Sequence, residues 1–451
     1  MALKVLFASN GTGEDQSAAI IARNFLDLLN EKDFVPSCKT EVRGASLLGG
    51  NNFYERAKVN LIFKGEMPPS GGFPLMNPKA LLADLLNGGM FQLLRYRKSL
   101  REFSPDMLMV VGDPFFFFVN QKFMKMKDDI SRENTVRIFL SLAKTEKGQK
   151  HLPWEINWMK KYAHFVFTRD IESAETLRRK GVKAYFLGNP MMDAIEPDPR
   201  KLEELSRKIE LKLKGNRPDI LLLPGSREEA YANFPLILES LTHLAKDLKK
   251  TGKSHKFKDI TAVAALIPSW SEEKMMRRIE KEKWSLPEED LLESKNGEVK
   301  ILLTRGYFAE SLKFTKVAIA LAGTAMEQAA GEGVPVVSFP GKGAQTTKWR
   351  IFKNQKGILG NALFAVNDPE EAGRTLAQLL LDENLRERAA SAGRKAMGGK
   401  GGAKRIALAF LKIAETLLKE GFPEKKIPPR IFESLVESTE SILSEMERHL
   451  P

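Results

Sequence analysis

The sequence predicts an α/β protein of two doubly wound, Rossmann-like domains facing across a cleft. Three observations carry that expectation. Short apolar runs alternate with longer amphipathic stretches, the pattern of strand–helix units wound into parallel sheets. The chain has 451 residues, more than one core normally organises, so two or three domains are expected. The pattern also starts afresh after Gly188-Asn189-Pro190-Met191-Met192-Asp193 and the Pro- and Asp-rich Glu196-Pro197-Asp198-Pro199, a stretch that reads as a linker.

Taken in order, Leu3 to Ala8 predicts a buried strand, Ser9 to Asp15 a Gly-rich turn and Gln16 to Leu29 a helix. Met107 to Val111 predicts a second strand, stopped by Gly112-Asp113-Pro114, and Phe165 to Thr168 and Ala184 to Leu187 predict two more. Beyond the linker, Ile220 to Leu223 predicts a strand, Pro224 to Arg227 a turn and Phe234 to Leu248 a helix. Ile260 to Ile267, Ile301 to Leu303, Val317 to Leu321 and Val334 to Phe339 supply further strands. The expected domains are residues 1–195 and 196–402, with a helical tail, 403–451, packing back toward the first. No short-period repeat points to a solenoid or propeller.

Composition narrows the function. With one cysteine, Cys38, no internal disulfide can form, and a reducing compartment is expected. The five histidines are scattered without metal-ligand spacing, so neither a metal nor a cofactor is expected. No apolar run is long enough to span a bilayer, and the start of the chain carries no secretory signal. The expected location is the cytoplasm, peripherally on the inner face of the membrane. The formal charge is +13, from 71 Lys and Arg against 58 Asp and Glu, which asks for an anionic partner. No stacking pattern of aromatic and basic residues, and no helix-turn-helix signature, argues for nucleic acid.

One segment departs from the alternation. From Phe63 to Arg101, apolar residues such as Phe73, Leu82, Leu86, Phe91 and Leu94 mix with Lys64, Lys79, Arg95, Arg97, Lys98 and Arg101. That mixture suits an anionic membrane surface; the plainer alternative is an amphipathic helix pair covering the sheet. Phe115 to Phe118 fits either a membrane face or a core.

Ligands in doubly wound sheets bind outside the carboxyl ends of strands, so three turns hold the candidate site. In Pro224-Gly225-Ser226-Arg227, Gly225 admits a phosphate, Ser226 donates and Arg227 supplies fixed charge. In Gly323-Thr324-Ala325-Met326-Glu327-Gln328, the first two residues open a helix whose N–H groups suit a diphosphate. Glu327 offers two oxygens to the hydroxyls of a ribose, and its rival role is a capping box with Thr324. Gln345 and Asn361, on later loops, are further candidates for sugar contacts. The third turn, Asn10-Gly11-Thr12-Gly13-Glu14-Asp15, holds G-x-G but has Gln16 where a third glycine would complete a dinucleotide fingerprint.

These motifs resemble the lipid-A-disaccharide synthase family in order and spacing. Gly188-Asn189-Pro190-Met191-Met192-Asp193 stands where that family has G-H-P-x-x-D. Leu222 to Arg227 is similar to its L-L-P-G-S-R turn, and Gly323 to Glu327 resembles its S-G-T-A-x-L-E motif, one residue shorter. MurG-type and galactolipid synthases share the plan more distantly. The resemblance implies a GT-B glycosyltransferase fold, a UDP-sugar donor in the C-terminal domain and a lipid or glycolipid acceptor at the N-terminal one. The first half departs from it: Gly112-Asp113-Pro114-Phe115-Phe116 has one carboxylate where the family carries two, and Glu14 and Asp15 stand where MurG-type enzymes have histidine.

The expected activity is an inverting, metal-independent transfer from a UDP-sugar to a lipid-linked hydroxyl. It needs a base for the acceptor proton and positive potential for departing UDP. Asp113 is the first candidate for the base, then Asp15 and Glu14; Gly11, Gly13, Gly225, Ser226, Arg227, Gly323, Thr324, Glu327, Gln328, Gln345 and Asn361 are the substrate-binding candidates. The alternatives are a UDP-sugar 2-epimerase, which shares a similar two-domain fold, and a non-catalytic membrane-binding protein that keeps it.

Overall fold

The computed structural model describes residues 2–31, 39–49, 52–66, 88–124, 134–252, 259–280, 282–423 and 427–450. Cys38, Phe73, Lys79, Leu82 and Leu86 lie outside them. The chain divides into two compact units, Met1–Ala194 with Lys400–Pro451, and Ile195–Gly399.

The first unit is built on a seven-stranded sheet, every pairing parallel, in the order β3-β2-β1-β4-β5-β6-β7. Its strands are β1 (Leu3–Ser9), β2 (Thr40–Ser46), β3 (Leu61–Lys64), β4 (Met107–Gly112), β5 (Val136–Ser141), β6 (Phe165–Thr168) and β7 (Ala184–Tyr185). Strand β4, Met-Leu-Met-Val-Val-Gly, is buried along its whole length, as a strand covered on both faces must be. Helix α1 (Thr12–Asn30) and the helix Gly402–Lys419 cover one face, with Phe7, Phe25 and Phe410 meeting at ring separations of 5.4–5.9 Å. The other face is covered by α2 (Met90–Phe103), α3 (Pro114–Met124), α4 (Pro153–Tyr162) and α5 (Ile171–Arg179), through Tyr96, Phe116, Phe117, Met159 and Leu177.

Helix α1 begins at Thr12, four residues before its predicted start. Gly11 caps it in extended backbone, its carbonyl accepting from Asp15 N–H at 2.7 Å. Glu14 and Asp15 fill the first turn, where the helix dipole favours carboxylates. The predicted linker is likewise partly structured: Met191, Met192 and Ile195 are buried, and Asp198 caps the helix α6 (Pro199–Lys212). Asp-Pro signals a helix start as well as a turn. The run Phe115 to Phe118 splits, with Phe116 and Phe117 in the core and Phe115 exposed.

The second unit has an eight-stranded sheet in the order β10-β11-β12-β9-β8-β13-β14-β15. Its strands are β8 (Ile220–Leu223), β9 (Ile260–Leu266), β10 (Trp284–Glu288), β11 (Leu291–Ser294), β12 (Val299–Arg305), β13 (Val317–Ala320), β14 (Val336–Ser338) and β15 (Leu363–Ala365). All pair in parallel except the hairpin β10–β11 and its junction with β12. Helices α7 (Glu229–Lys250), α8 (Thr324–Gly331) and α9 (Pro369–Leu381) follow β8, β13 and β15. These are two α/β units on parallel sheets.

Candidate functional site

Strand order reverses once in each sheet, between β1 and β4 and between β8 and β13. At such a switch point the loops leave the sheet in opposite directions and open a crevice at its carboxyl edge. All three predicted turns lie at these two places.

In the first unit, Asn10 follows β1 and Asp113 follows β4. The Asn10 amide donates to Asp113 Oδ2 and joins the two turns. Asp113 Oδ1 accepts from the N–H groups of Phe115 at 2.9 Å and Phe116 at 3.0 Å, capping α3. Asp15 is fully buried, and its two oxygens accept from Ser9 Oγ at 2.5 Å and Ser46 Oγ at 2.7 Å. Tyr54 Oη lies 2.7 Å from Ser9 Oγ and donates to the Phe7 carbonyl, extending the network under the sheet edge.

Glu14 is placed differently. Its carboxylate folds back over Gly11, where an added side chain would collide with it. Burial, with the charges of Asp113 and Asp15, pushes its pKa up to about 7, against its own backbone N–H and Arg169. A carboxyl that titrates near neutrality is poised to exchange protons. Gly13 sits inside the first turn of α1, so the G-x-G is the start of a helix rather than a dinucleotide loop.

A neighbouring group gave no sequence signal. Ser141, at the end of β5 and in register with Gly112, has its Oγ 2.7 Å from His151 Nε2, and His151 Nδ1 lies 2.9 Å from Glu146 Oε1. With the buried Lys144–Glu155 pair at 2.6 Å, this network pins the loop after β5 beside the Asp113 turn, where Ala143 N–H bonds the Gly112 carbonyl. Residues ten apart in a loop show no periodicity, so only the fold joins them.

In the second unit, Leu223 and Ala320 are register partners at the ends of β8 and β13. The turns Pro224 to Arg227 and Ala322 to Thr324 therefore leave the sheet side by side. Gly225 has φ +116°, and the Leu321 carbonyl would lie 3.3 Å from a Cβ built on it. Only glycine takes that backbone without strain. Ser226 is exposed and Arg227 half-buried. Gln345 lies over Gly323, its side-chain oxygen 3.4 Å from where a Cβ would stand.

The N-cap of α8 is Gly323, which has no side chain to donate or accept, and Thr324 is already the first helical residue, so the capping box is not made. Instead Glu327, 5 % exposed, accepts from Gln355 Nε2 at 3.1 Å. Gln355 ends a π-helical turn, Arg350–Gln355. Arg350 on that turn is buried, which lowers its pKa, and it feels the charges of both Glu327 and Arg227. Gln328 is buried on the same helix as Glu327. Arg350, Asn354 and Gln355 were missed from the sequence because no local pattern connects their turn to Glu327 on α8. Asn361 does not join the group: it is exposed and precedes β15, at the opposite edge of the parallel sheet. Among the described residues, no group of three or more His, Cys, Asp or Glu is placed to hold a metal ion.

No protein-family model and no curated protein matches the sequence. Solved structures do match. The UDP-GlcNAc 2-epimerase of Methanocaldococcus jannaschii, solved in complex with UDP-GlcNAc and UDP, aligns over 91 % of this chain and 99 % of its own, at 16 % identity and TM-score 0.52. The UDP-GlcNAc 2-epimerase of Neisseria meningitidis, bound to UDP-GlcNAc, aligns over 91 % and 99 %, at 13 % identity and TM-score 0.51. MurG of Acinetobacter baumannii aligns over 91 % and 99 %, at 12 % identity and TM-score 0.50. At such identities what is shared is the fold: the two α/β units are those of GT-B enzymes such as MurG and the UDP-GlcNAc 2-epimerases.

Proposed function

We propose that this chain is a UDP-sugar-using enzyme that holds its nucleotide at the β8/β13 switch point. The observation that supports this best is the convergence there of the Gly225 turn, Arg227 and Arg350, and buried Glu327. Arginines beside a glycine turn suit a diphosphate, and a carboxylate on the next helix suits the vicinal hydroxyls of ribose. Glu14 is the proposed base, because Asp113 and Asp15 are held by hydrogen bonds that build the turns around it.

The first reading of the reaction is 2-epimerisation, which the structural neighbours favour. Inverting C2 of a sugar requires its hydrogen to leave and return, and a group titrating near 7 suits that exchange. Incubating the protein with UDP-GlcNAc in deuterated water tests it: NMR should show deuterium at C2 and a second UDP-sugar. Absence of both excludes epimerisation of that sugar.

The second reading is an inverting transfer to a lipid-linked hydroxyl, lipid-A-disaccharide synthase-like, supported by the three ordered motifs and by one surface of the first unit. Helix α2 exposes Met90, Phe91 and Leu94 beside Arg95 and Lys98. Phe115, Leu152 and Trp154 are exposed at the starts of α3 and α4. In a parallel sheet these helix starts all lie at the carboxyl edge. The proposed partner of this apolar, cationic rim is an anionic membrane carrying the acceptor. No helix among the described residues is long and apolar enough to cross a membrane, so attachment would be peripheral. A panel of UDP-sugars with membrane lipid, read by mass spectrometry, tests it through a new glycolipid and free UDP.

A further inference from the structure

The π-helical turn Arg350–Gln355 is the unusual backbone of the second unit. Such turns make up well under one per cent of residues and occur often at functional sites. Here Arg350, Ile351, Asn354 and Gln355 are all buried.

Two of them carry acceptors that the protein leaves without donors. Gln355 is 5 % exposed and Asn354 4 %, yet Gln355 Oε1 and Asn354 Oδ1 have no hydrogen-bond partner. Buried polar atoms are nearly always bonded, so leaving both unpaired is a cost that the rest of the turn must offset. The other end of the Gln355 amide is engaged: Nε2 donates to Glu327 Oε1 at 3.1 Å, inside the core.

We propose that Gln355 is a positioning residue that holds the Glu327 carboxylate for a vicinal diol. This rests on the nucleotide reading above. A carboxylate on its first-turn position can rotate about its side-chain bonds. One fixed amide donor sets the plane of the group and occupies one of its roughly four lone-pair sites, leaving its acceptor character intact. A basic side chain in that place would also fix it, but would draw its charge into an ion pair. A neutral amide orients without neutralising.

The test is calorimetric titration of UDP and of 2′-deoxy-UDP into the full chain and into Gln355→Leu, which keeps the shape of the side chain and removes both polar ends. The native protein should prefer UDP by about tenfold or more, the loss expected for one hydrogen bond to a charged group. In Gln355→Leu that preference should collapse toward one, with UDP affinity falling and 2′-deoxy-UDP affinity nearly unchanged. Gln355→Met gives the same readout if the leucine variant does not fold. Equal weakening of both nucleotides, or an undiminished preference, overturns the positioning role while the nucleotide reading stands. A native protein that binds neither nucleotide overturns that reading, and this inference with it.

Discussion

His164 Nε2 lies 2.7 Å from Glu433 Oε2, joining the strand that begins at Phe165 to a helix near the end of the chain. His164 Nδ1 accepts from Arg137 N–H at 2.9 Å, so the ring is neutral and its Nε2–H donates to Glu433. Arg137 Nη2 adds a bond to Glu433 Oε1 at 3.2 Å. Burial holds His164 below its ordinary value despite the carboxylate, while the bond from His164 brings Glu433 down to about 2.

Both shifts make the latch acid-sensitive. His164, favoured neutral in the fold, contributes fully above its ordinary value of 6.5 and loses that stability as pH falls below it. Glu433, favoured ionised, contributes fully above 4.5 and loses its share as pH falls toward about 2. The melting temperature should therefore drop in two stages on acidification. Glu433→Gln should lower it at pH 7 and flatten the second stage. Thermal melts from pH 7.5 to 3 check this, and an unchanged pH dependence in the variant refutes it.

Asp193 caps a helix that starts more than two hundred residues later. Its carboxylate accepts from Gly401 N–H and, at 2.7 Å, from Ala403 N–H. Asp193→Ala should cost about 0.5–2 kcal/mol, the usual worth of a cap, with UDP affinity unchanged. Gly402→Ala should cost stability as well, since a Cβ there would stand 2.8 Å from the Asn189 nitrogen. Chemical denaturation measures both, and a native midpoint in either would be a failure of this account.

Glu14→Gln should cut turnover by roughly two to four orders of magnitude, the range for a lost general base. In the native enzyme kcat/KM should fall about tenfold per pH unit below about 7, since the base must be ionised to accept a proton. Asp15→Asn should instead lower the melting temperature, because it disrupts the bonds from Ser9 and Ser46. If Asp113→Asn abolishes turnover while Glu14→Gln retains it and the acid limb, the base is Asp113.

Arg227→Ala should weaken UDP binding by about 1.5–3 kcal/mol, the usual worth of a hydrogen bond to a charged group. Isothermal titration on the folded variant reads this directly. Unaltered affinity would remove Arg227 from the nucleotide site.

Replacing Arg95, Arg97 and Lys98 by alanine should release the protein from anionic vesicles, at about 1 kcal/mol per basic residue near the surface. Raised salt should do the same to the native chain. Flotation that responds to neither contradicts a membrane role for α2.

The first strand, Leu3–Ser9, and Met107–Gly112 were legible because central parallel strands are buried on both faces and read as unbroken apolar runs. Strand Thr40–Ser46 was not: its Thr-Glu-Val-Arg start is half-exposed and polar. The three turns were legible because glycine beside a strand end is a backbone requirement written into sequence. What could not be read was which carboxylate has its oxygens bound. Asp113 and Asp15 outrank Glu14 by position and motif, but the hydrogen bonds from Ser46 to Asp15 and from Asn10 to Asp113 come from places that no local pattern connects. The π-helical turn is invisible for the same reason: a one-residue change of pitch leaves composition and periodicity almost untouched.

The first unit is interrupted, and its last fifty-two residues, Lys400–Pro451, belong to it. Phe410, Ile413, Leu417, Phe432 and Leu443 are part of the same buried cluster as Val5, Phe7 and Phe25. During synthesis, Ile195–Gly399 is therefore complete while one face of the earlier sheet, under α1, still lacks part of its cover. The earlier segment is finished later, and emergence of the helices beyond Lys400, rather than of residue 194, sets when its core closes. A message truncated just after the second unit would yield one sound body attached to one with an open apolar face.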